Sequence, residues 1–365
     1  MKIEQIVNYL ESVAPLSLQE DYDNSGLIVG NKKNIIQSAL ITLDCTENIV
    51  EEAIQKKCNL IIAHHPIIFK GLKKINGENY IERTVIKAIK NDIAIYAIHT
   101  NLDNVINGVN YKIANRLDLQ NLSILKPKKN QLSNLVFYCP KKYASNVREA
   151  LFDKGAGNIG FYNNCSFKFT GQGTFKPIQG SNPFIGSVDK LQQKEEECIS
   201  LVFPKYLQKD IIKVLKKHHP YEEVAYQVYD LENIYQNIGS GIIGNLSHET
   251  SISDFLKQLK LTMNTSCIRY SEPKKRKHIY KVAICGGSGS FLLKNAISAN
   301  ADIFISSDFK YHEFFDAEDK IIIADIGHYE SEQFTKELIF DMLKEKFPKF
   351  AVQLSKINTN PIKYI

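Results

Sequence analysis

The sequence predicts an α/β protein: a split outer domain with mixed sheets flanked by helices, interrupted by an inserted α+β segment. Three observations carry that expectation. Over the first third, short apolar runs bounded by breakers alternate with helical stretches, the order expected of a parallel or mixed sheet with covered faces. After Leu125 comes a polar linker, Pro127-Lys128-Lys129-Asn130, and then a glycine-rich, strand-rich stretch. Past Tyr235 strand and helix alternate again. The expected boundaries are 1–127 and 236–365 for the two halves of the outer domain and 128–235 for the insert.

In chain order, Met1 to Leu10 reads as an amphipathic helix, Ser38 to Leu43 as a strand and Glu47 to Lys56 as a helix. Leu60-Ile61-Ile62 is a continuous apolar run soon closed by Pro66, the pattern of a strand buried on both faces. A helix over Arg83 to Asn91 and a strand over Ala94 to Ile98 follow. In the insert, Leu132 to Pro140 begins a strand, Ile211 to Lys216 is a helix with an apolar face, and Val224, Tyr226 and Val228 alternate as a strand. Beyond it, Ser251 caps a helix with Asp254 three residues on. Val282 to Cys285, Ala301 to Ile305 and Lys320 to Ala324 are the last predicted strands.

At 365 residues the chain is comfortable for two domains with a sizeable core. Its apolar stretches fall far short of the ~20 residues a membrane helix needs. The first ten residues carry both acid and base, which a signal peptide would not tolerate. Seven scattered cysteines without a Cys-x-x-Cys pair indicate a reducing, cytoplasmic setting. The net charge of +6 comes mostly from dispersed lysine, which disfavours a nucleic-acid partner. The one dense run, Lys274-Lys275-Arg276-Lys277-His278, reads as a connecting loop, with nucleic-acid or phosphate contact as the alternative.

Three predicted strands end in clusters of His, Asp and Glu: His64-His65, then His99 to Asp103, then Asp325 to Glu332. Strand ends are where open α/β folds place ligands. Adjacent residues on a regular strand point to opposite faces. His64 and His65 therefore share a site only where the strand breaks, or serve two neighbouring ions, or divide into one buried and one exposed ring. His328 and Glu332, four apart, lie on one face if a helix starts near Gly327. Such a nitrogen and oxygen set suits zinc, manganese or iron.

These residues also carry a resemblance. Tyr22-Asp23-Asn24-Ser25-Gly26-Leu27, Leu43-Asp44-Cys45-Thr46, His64-His65-Pro66-Ile67-Ile68-Phe69, His99-Thr100-Asn101-Leu102-Asp103, Gly286-Gly287-Ser288-Gly289 and Asp325 through Glu332 occur in one order. In that order they resemble the GTP cyclohydrolase 1 type 2 homolog family, the NGG-interacting-factor-three-like proteins. The resemblance implies two divalent ions per chain, zinc foremost, on His64, His65, Asp103, His328 and Glu332. It pairs His65 with Asp103 and His64 with His328, Glu332 being shared. It implies a homohexamer built as a trimer of dimers, and a PII-like (CutA-like) insert in which His218-His219-Pro220-Tyr221-Glu222-Glu223 is a structural turn; an accessory metal or ligand site is the other reading. Tyr22 stands where the family usually has Trp, and in Ser306 to His312 only one of two family histidines remains.

The implied activity is metal-dependent hydrolysis of a nucleotide or related compound, most concretely opening of the guanine imidazole ring with loss of formate. His99, Asp308 and His312 are the candidate acids and bases. His99 is also a candidate to orient Asp103, and Asp44 and Asp325 to hold a ligating imidazole in one tautomer. Gly286 to Ser290 is either an anion-cradling loop at a helix start or a plain tight turn. The alternative to an enzyme is a non-catalytic metal-binding scaffold or regulatory ring.

Overall fold

In the computed structural model every residue is described except Lys275, so that member of the 274–278 basic run lies outside the described residues. The chain forms two compact units, Met1–Pro127 with Gln236–Ile365, and Lys128–Tyr235.

The continuous apolar runs of the first unit become strands buried at every position: Ser38–Thr42, Leu60–Ala63, Ala94–Ala97 and Ile303–Ser307. One sheet has the order Gly26–Val29, Ala94–Ala97, Leu60–Ala63, Ser38–Thr42, Ala351–Leu354. Its last four strands are parallel and the first is antiparallel. The period of two sorts its side chains. Ile41, Ile62 and Tyr96 meet Ile3, Ile6 and Leu10 of the helix Ile3–Val13. Leu40, Ile61 and Ile95 meet Ile49, Ala53, Val85 and Ala88 of the helices Glu47–Gln55 and Tyr80–Lys90. Each such isoleucine, fully buried, contributes roughly 1.5–3 kcal/mol, which anchors the strand end that carries the histidines.

The second sheet of this unit has six strands, ordered Arg269–Tyr270, Ile322–Asp325, Ile303–Ser307, His278–Ser288, Gly239–Ser251, Gln120–Pro127. The pairs among His278–Ser288, Ile303–Ser307 and Ile322–Asp325 are parallel. Ile242, Ile284, Ile305 and Ala324 join the core used by the first sheet, while Ala283, Phe304 and Ile323 pack on the opposite face with Leu293 and Ala296. The parallel strands of both sheets thus end around one region, where the three clusters lie. As expected, the helix Ile252–Thr262 starts at Ser251, whose hydroxyl accepts the Asp254 N–H at 3.2 Å.

The sequence patterns did not reveal four edge strands, Gly26–Val29, Gln120–Pro127, Arg269–Tyr270 and Ala351–Leu354, because few of their positions are buried and their pairing is with residues distant in the chain, nor the interior strand Gly239–Ser251. The predicted strand at 320–324 lies instead at Ile322–Asp325. Asp325 is buried there because its carboxylate accepts from Arg269 and from the N–H groups of Phe309 and Gly327.

The unit Lys128–Tyr235 runs strand, helix, strand, strand, helix, strand. Its four-stranded antiparallel sheet has the order Phe167–Phe175, Gln192–Pro204, Leu132–Pro140, Tyr226–Leu231. This is the split β-α-β arrangement. Its core sets Leu135, Phe137, Ile199 and Leu201 against Val147 and Leu151 of the helix Lys141–Asp153 and Ile211 and Leu215 of the helix Gln208–His218. His219 ends the second helix as a buried staple: Nε2–H donates to the Tyr138 carbonyl at 2.9 Å, and Nδ1 accepts the Tyr221 N–H at 3.1 Å. Among the described residues no helix is long and apolar enough to cross a membrane.

Candidate metal centre

The strand Leu60–Ala63 delivers His64 and His65 side by side. The backbone N–H groups of both still bond toward the neighbouring strand, His64 to the Thr42 carbonyl at 3.2 Å and His65 to that of Leu43 at 3.0 Å. The rings nevertheless lie 4.9 Å apart, because the chain leaves the sheet here. The His64 ring is fully buried, and its Nδ1–H donates to the Ile98 carbonyl at 2.8 Å. That fixes the tautomer and leaves the Nε2 lone pair free to bind. His65 Nδ1 is 2.7 Å from Asp44 Oδ1, His99 Nδ1 is 2.8 Å from Asp23 Oδ1, and His328 Nδ1 is 2.6 Å from Asp308 Oδ2. Each of the four rings is thus held at Nδ1 by an oxygen.

Glu332 stands at the centre. Its Oε2 is 2.9 Å from His65 Nε2 and 3.2 Å from His328 Nε2, while Oε1 is 3.8 Å from His64 Nε2. The helix His328–Glu332 puts its first and last residues on one face, as the four-residue spacing predicts. Gly327 before it has φ +91°, a conformation that favours glycine. Two ligand-sized groups result: His64 with Asp103 and Glu332, and His65 with His328 and Glu332. A third group joins His64, His65 and His99. The pairing therefore differs from the one the resemblance implied. Asp103 lies with His64, not His65, because Asp103 Oδ1 is 3.7 Å from His64 Nε2.

The donor set fits a divalent ion. His64 Nε2 and Asp103 Oδ1 are buried without a hydrogen-bond partner among the described residues. Buried polar atoms rarely stay unpaired. Two donors each about 2.1 Å from a tetrahedral ion sit about 3.4 Å apart, close to the separation of this pair.

The family described as Duf34/NIF3 (NGG1p interacting factor 3) matches residues 1–361. The chain belongs to the Duf34/NIF3 family. It is 36% identical to the GTP cyclohydrolase 1 type 2 homolog of Bacillus subtilis over 99% of this chain and 98% of that one. It is 37% identical to the protein of the same name from Halalkalibacterium halodurans, again over 99% and 98%. Among solved structures, a Bacillus cereus protein related to NIF3 superposes with a TM-score of 0.88 at 36% identity, covering 100% of this chain and 99% of that one.

In this NIF3 chain the electrostatics favour positive charge at the centre. Burial opposes protonation of His65 and His328, but the Glu332 carboxylate and their Asp44 and Asp308 partners push them up to about 10 and about 11. Burial likewise opposes the charge on Glu332, and the His328 and His65 imidazoles hold its carboxyl well below the usual range. Asp103 moves the other way: burial, reinforced by the Glu332 charge, raises it. A field that keeps protons on two rings also attracts a cation, and metal and protons compete for the same lone pairs.

These groups line a cavity of about 690 Å³. Tyr22, Phe69, Tyr80 and Phe291 stand exposed around it, and residues 359–362 form part of its wall.

Not every candidate joins the centre. His312 is exposed on the short helix Tyr311–Ala317, packs on Tyr311 and Phe315, and is not among the residues that line the cavity. Asp308 lies against His328, its Oδ2 2.6 Å from Nδ1, and is not among the residues that line the cavity. Asp325, expected to hold an imidazole, instead binds Arg269 and two backbone N–H groups of its own turn region. His99 lines the cavity but bonds Asp23, not Asp103. Asp23 also accepts from the Thr100 N–H and hydroxyl and the Ser25 hydroxyl; burial pushes its carboxyl up, but the His99 hydrogen bond and charge, with the Thr100 and Asn24 bonds, hold it well below the usual range.

The glycine-rich segment is not an open loop: Gly286 to Ser288 form the end of the strand His278–Ser288. The Gly286 N–H is taken by Asn110 Oδ1 at 2.8 Å and the Gly287 N–H by Ser331 Oγ at 2.9 Å, so neither is open to an anion. Gly287 has φ +64°, and a Cβ there would collide with the Glu332 carboxylate. Sequence reasoning missed Thr359, whose hydroxyl donates to Asp44 Oδ2 at 2.5 Å from 315 residues away. No local pattern signals such a contact.

Proposed function

We propose that this cavity is a two-metal hydrolytic centre acting on a nucleotide or related compound. His64, Asp103 and Glu332 hold one divalent ion, and His65, His328 and Glu332 hold the other. The observation that carries the reading is Glu332, a buried carboxylate with one oxygen toward each group of ligands. Zinc suits the imidazole and carboxylate set, with manganese and iron as the other candidates. Bound there, such ions supply Lewis acidity and an acidified water.

The chain's own residues do the rest. The Ile98 carbonyl, Asp44 and Asp308 fix the three ligand rings so that Nε2 faces inward. His99, tied to Asp23 through Nδ1, offers its other nitrogen beside His64 and His65 and is placed to move a proton. The exposed rings of Tyr22, Phe69, Tyr80 and Phe291 offer faces on which a flat heterocycle stacks. The family resemblance supports a homohexamer and a PII-like identity for residues 128–235.

The test is metal content per chain together with formate release from GTP and hydrolysis of a nucleotide panel, in wild type and Glu332→Gln. The expected result is two ions and turnover in wild type, both lost in a variant that still folds. Two ions without turnover of any nucleotide would favour a metal-binding scaffold. Two ions retained in Glu332→Gln would refute the shared carboxylate.

A further inference from the structure

We propose that the Lys128–Tyr235 unit carries a binding site for a small organic cation, an ammonium group on an apolar body, held between Glu196 and the rings of Phe175, Phe184 and Tyr221. The site is independent of the metal centre. It lies in a cavity of about 600 Å³ lined wholly by residues of this unit. That volume is in the range of small-molecule sites.

The walls are aromatic. Tyr221 lies 5.9 Å from Phe175 and 6.3 Å from Phe184, ring centre to ring centre, and Phe184 is steadied edge-on by Tyr143 at 5.6 Å. Ring faces carry negative potential and attract ammonium groups. Ile185 and Pro183 extend the wall as apolar surface.

The charge follows the same logic. Glu196 is only 9% exposed. Its Oε1 accepts the Tyr221 hydroxyl at 2.7 Å, while Oε2 takes no hydrogen bond or ion pair from any described residue. Gly173, across the strand pair, leaves space for that oxygen; a Cβ there would strike it. The next residue, Glu197, shows the contrast, since it is paired with Lys168 Nζ at 2.8 Å. Glu196 thus leaves one carboxylate oxygen open in an otherwise mostly buried residue, and a bound cation would pair with it. Glu222 and Glu223 add negative charge to the lining, with Glu222 accepting the Asn182 N–H. The one lysine in the lining, Lys176, lies 3.7 Å from Asp189.

A bare metal ion fits less well. Both ring nitrogens of His219 are engaged in holding the turn, and His218 is exposed on the helix end. That leaves carboxylates and aromatic faces, the chemistry of an organic cation. The His-His-Pro-Tyr-Glu-Glu run thus serves as a structural turn through His219 and as a ligand wall through Tyr221.

The experiment uses the full chain and two probes of the same shape, phenethylammonium and the neutral 2-phenylethanol, titrated by calorimetry and saturation-transfer NMR. The ammonium should bind once per chain, at least about tenfold tighter than the alcohol. Glu196→Gln should erase that difference, and Phe184→Ala should weaken the ammonium without touching metal content. Equal binding of the two probes by wild type, or no binding at millimolar concentration, overturns the site. So does a Glu196→Gln variant that keeps the preference. The wild-type comparison decides the matter even if a variant fails to fold.

Discussion

Replacing Asp44 by Asn separates the two halves of the proposed metal centre. Asp44 Oδ1 lies 2.7 Å from His65 Nδ1, and Oδ2 accepts the Thr359 hydroxyl at 2.5 Å. Asparagine keeps the size and one acceptor but removes the charge that makes His65 a better donor. Loss of such a partner typically weakens metal affinity about 10–100-fold, or about 1.4–2.7 kcal/mol. The His64 ring is held by the Ile98 carbonyl instead, so its ion should be spared. Equilibrium dialysis against buffered zinc, with ions per chain counted by native mass spectrometry, reads the effect. One ion should bind as in wild type and the other should need 10–100-fold more free zinc. Asp308→Asn should weaken the same ion, through His328. Equal weakening of both ions, or of neither, would refute the separate orientation of the two ligand groups.

Three further outcomes are expected. Gly287→Ala forces a side chain into a left-handed conformation, at about 1–3 kcal/mol, and against the Glu332 carboxylate; it should lower the melting temperature and strip both ions, and normal metal content would count against the close approach. Tyr96→Phe should raise stability by up to about 1–3 kcal/mol in urea unfolding, because the Tyr96 hydroxyl is buried with no hydrogen-bond partner among the described residues; a clear loss would mean the hydroxyl is satisfied. Burial holds His219 below its ordinary pKa against the Tyr138 hydrogen bond and the Glu196 charge. The unfolded chain therefore takes the proton first, near pH 6.5, and this residue's contribution is present above that pH and lost as pH falls below it. Protonation would also remove the acceptor for the Tyr221 N–H. His219→Gln should flatten the decline in stability between about pH 7.5 and 5.5; an unchanged slope would locate the titration elsewhere.

Family membership and the helix-flanked α/β sheets were legible because they rest on local signals. Leu60-Ile61-Ile62 and Ala94 to Ile98 are apolar runs that become fully buried strands, and Ser251 is a cap that reads as one. The His328–Glu332 spacing worked because four residues define one helical face. What was not legible was long-range. The partner of each imidazole is another segment's oxygen, so Asp308 looked like an acid or base until His328 lay beside it, and Asp325 looked available until Arg269 claimed it. The grouping of Asp103 with His64 depends on how the short helix Thr100–Asp103 turns after His99, which no spacing encodes. His312 was singled out only as a remnant of a family pair, and its exposed helix keeps it from the cavity.

His65 and Glu332 touch across 267 residues of sequence. During synthesis the three histidines and Asp103 of the first half emerge long before the carboxylate that completes their constellation. A ribosome-bound or truncated chain therefore holds only a partial set of donors and should retain metal poorly. An ion bound as proposed would bridge the halves in the finished protein, close a very long loop and stabilise the folded state by mass action. Metal occupancy would then report that translation and folding have both been completed, and chelation should loosen the two halves of this unit from each other before it unravels either sheet.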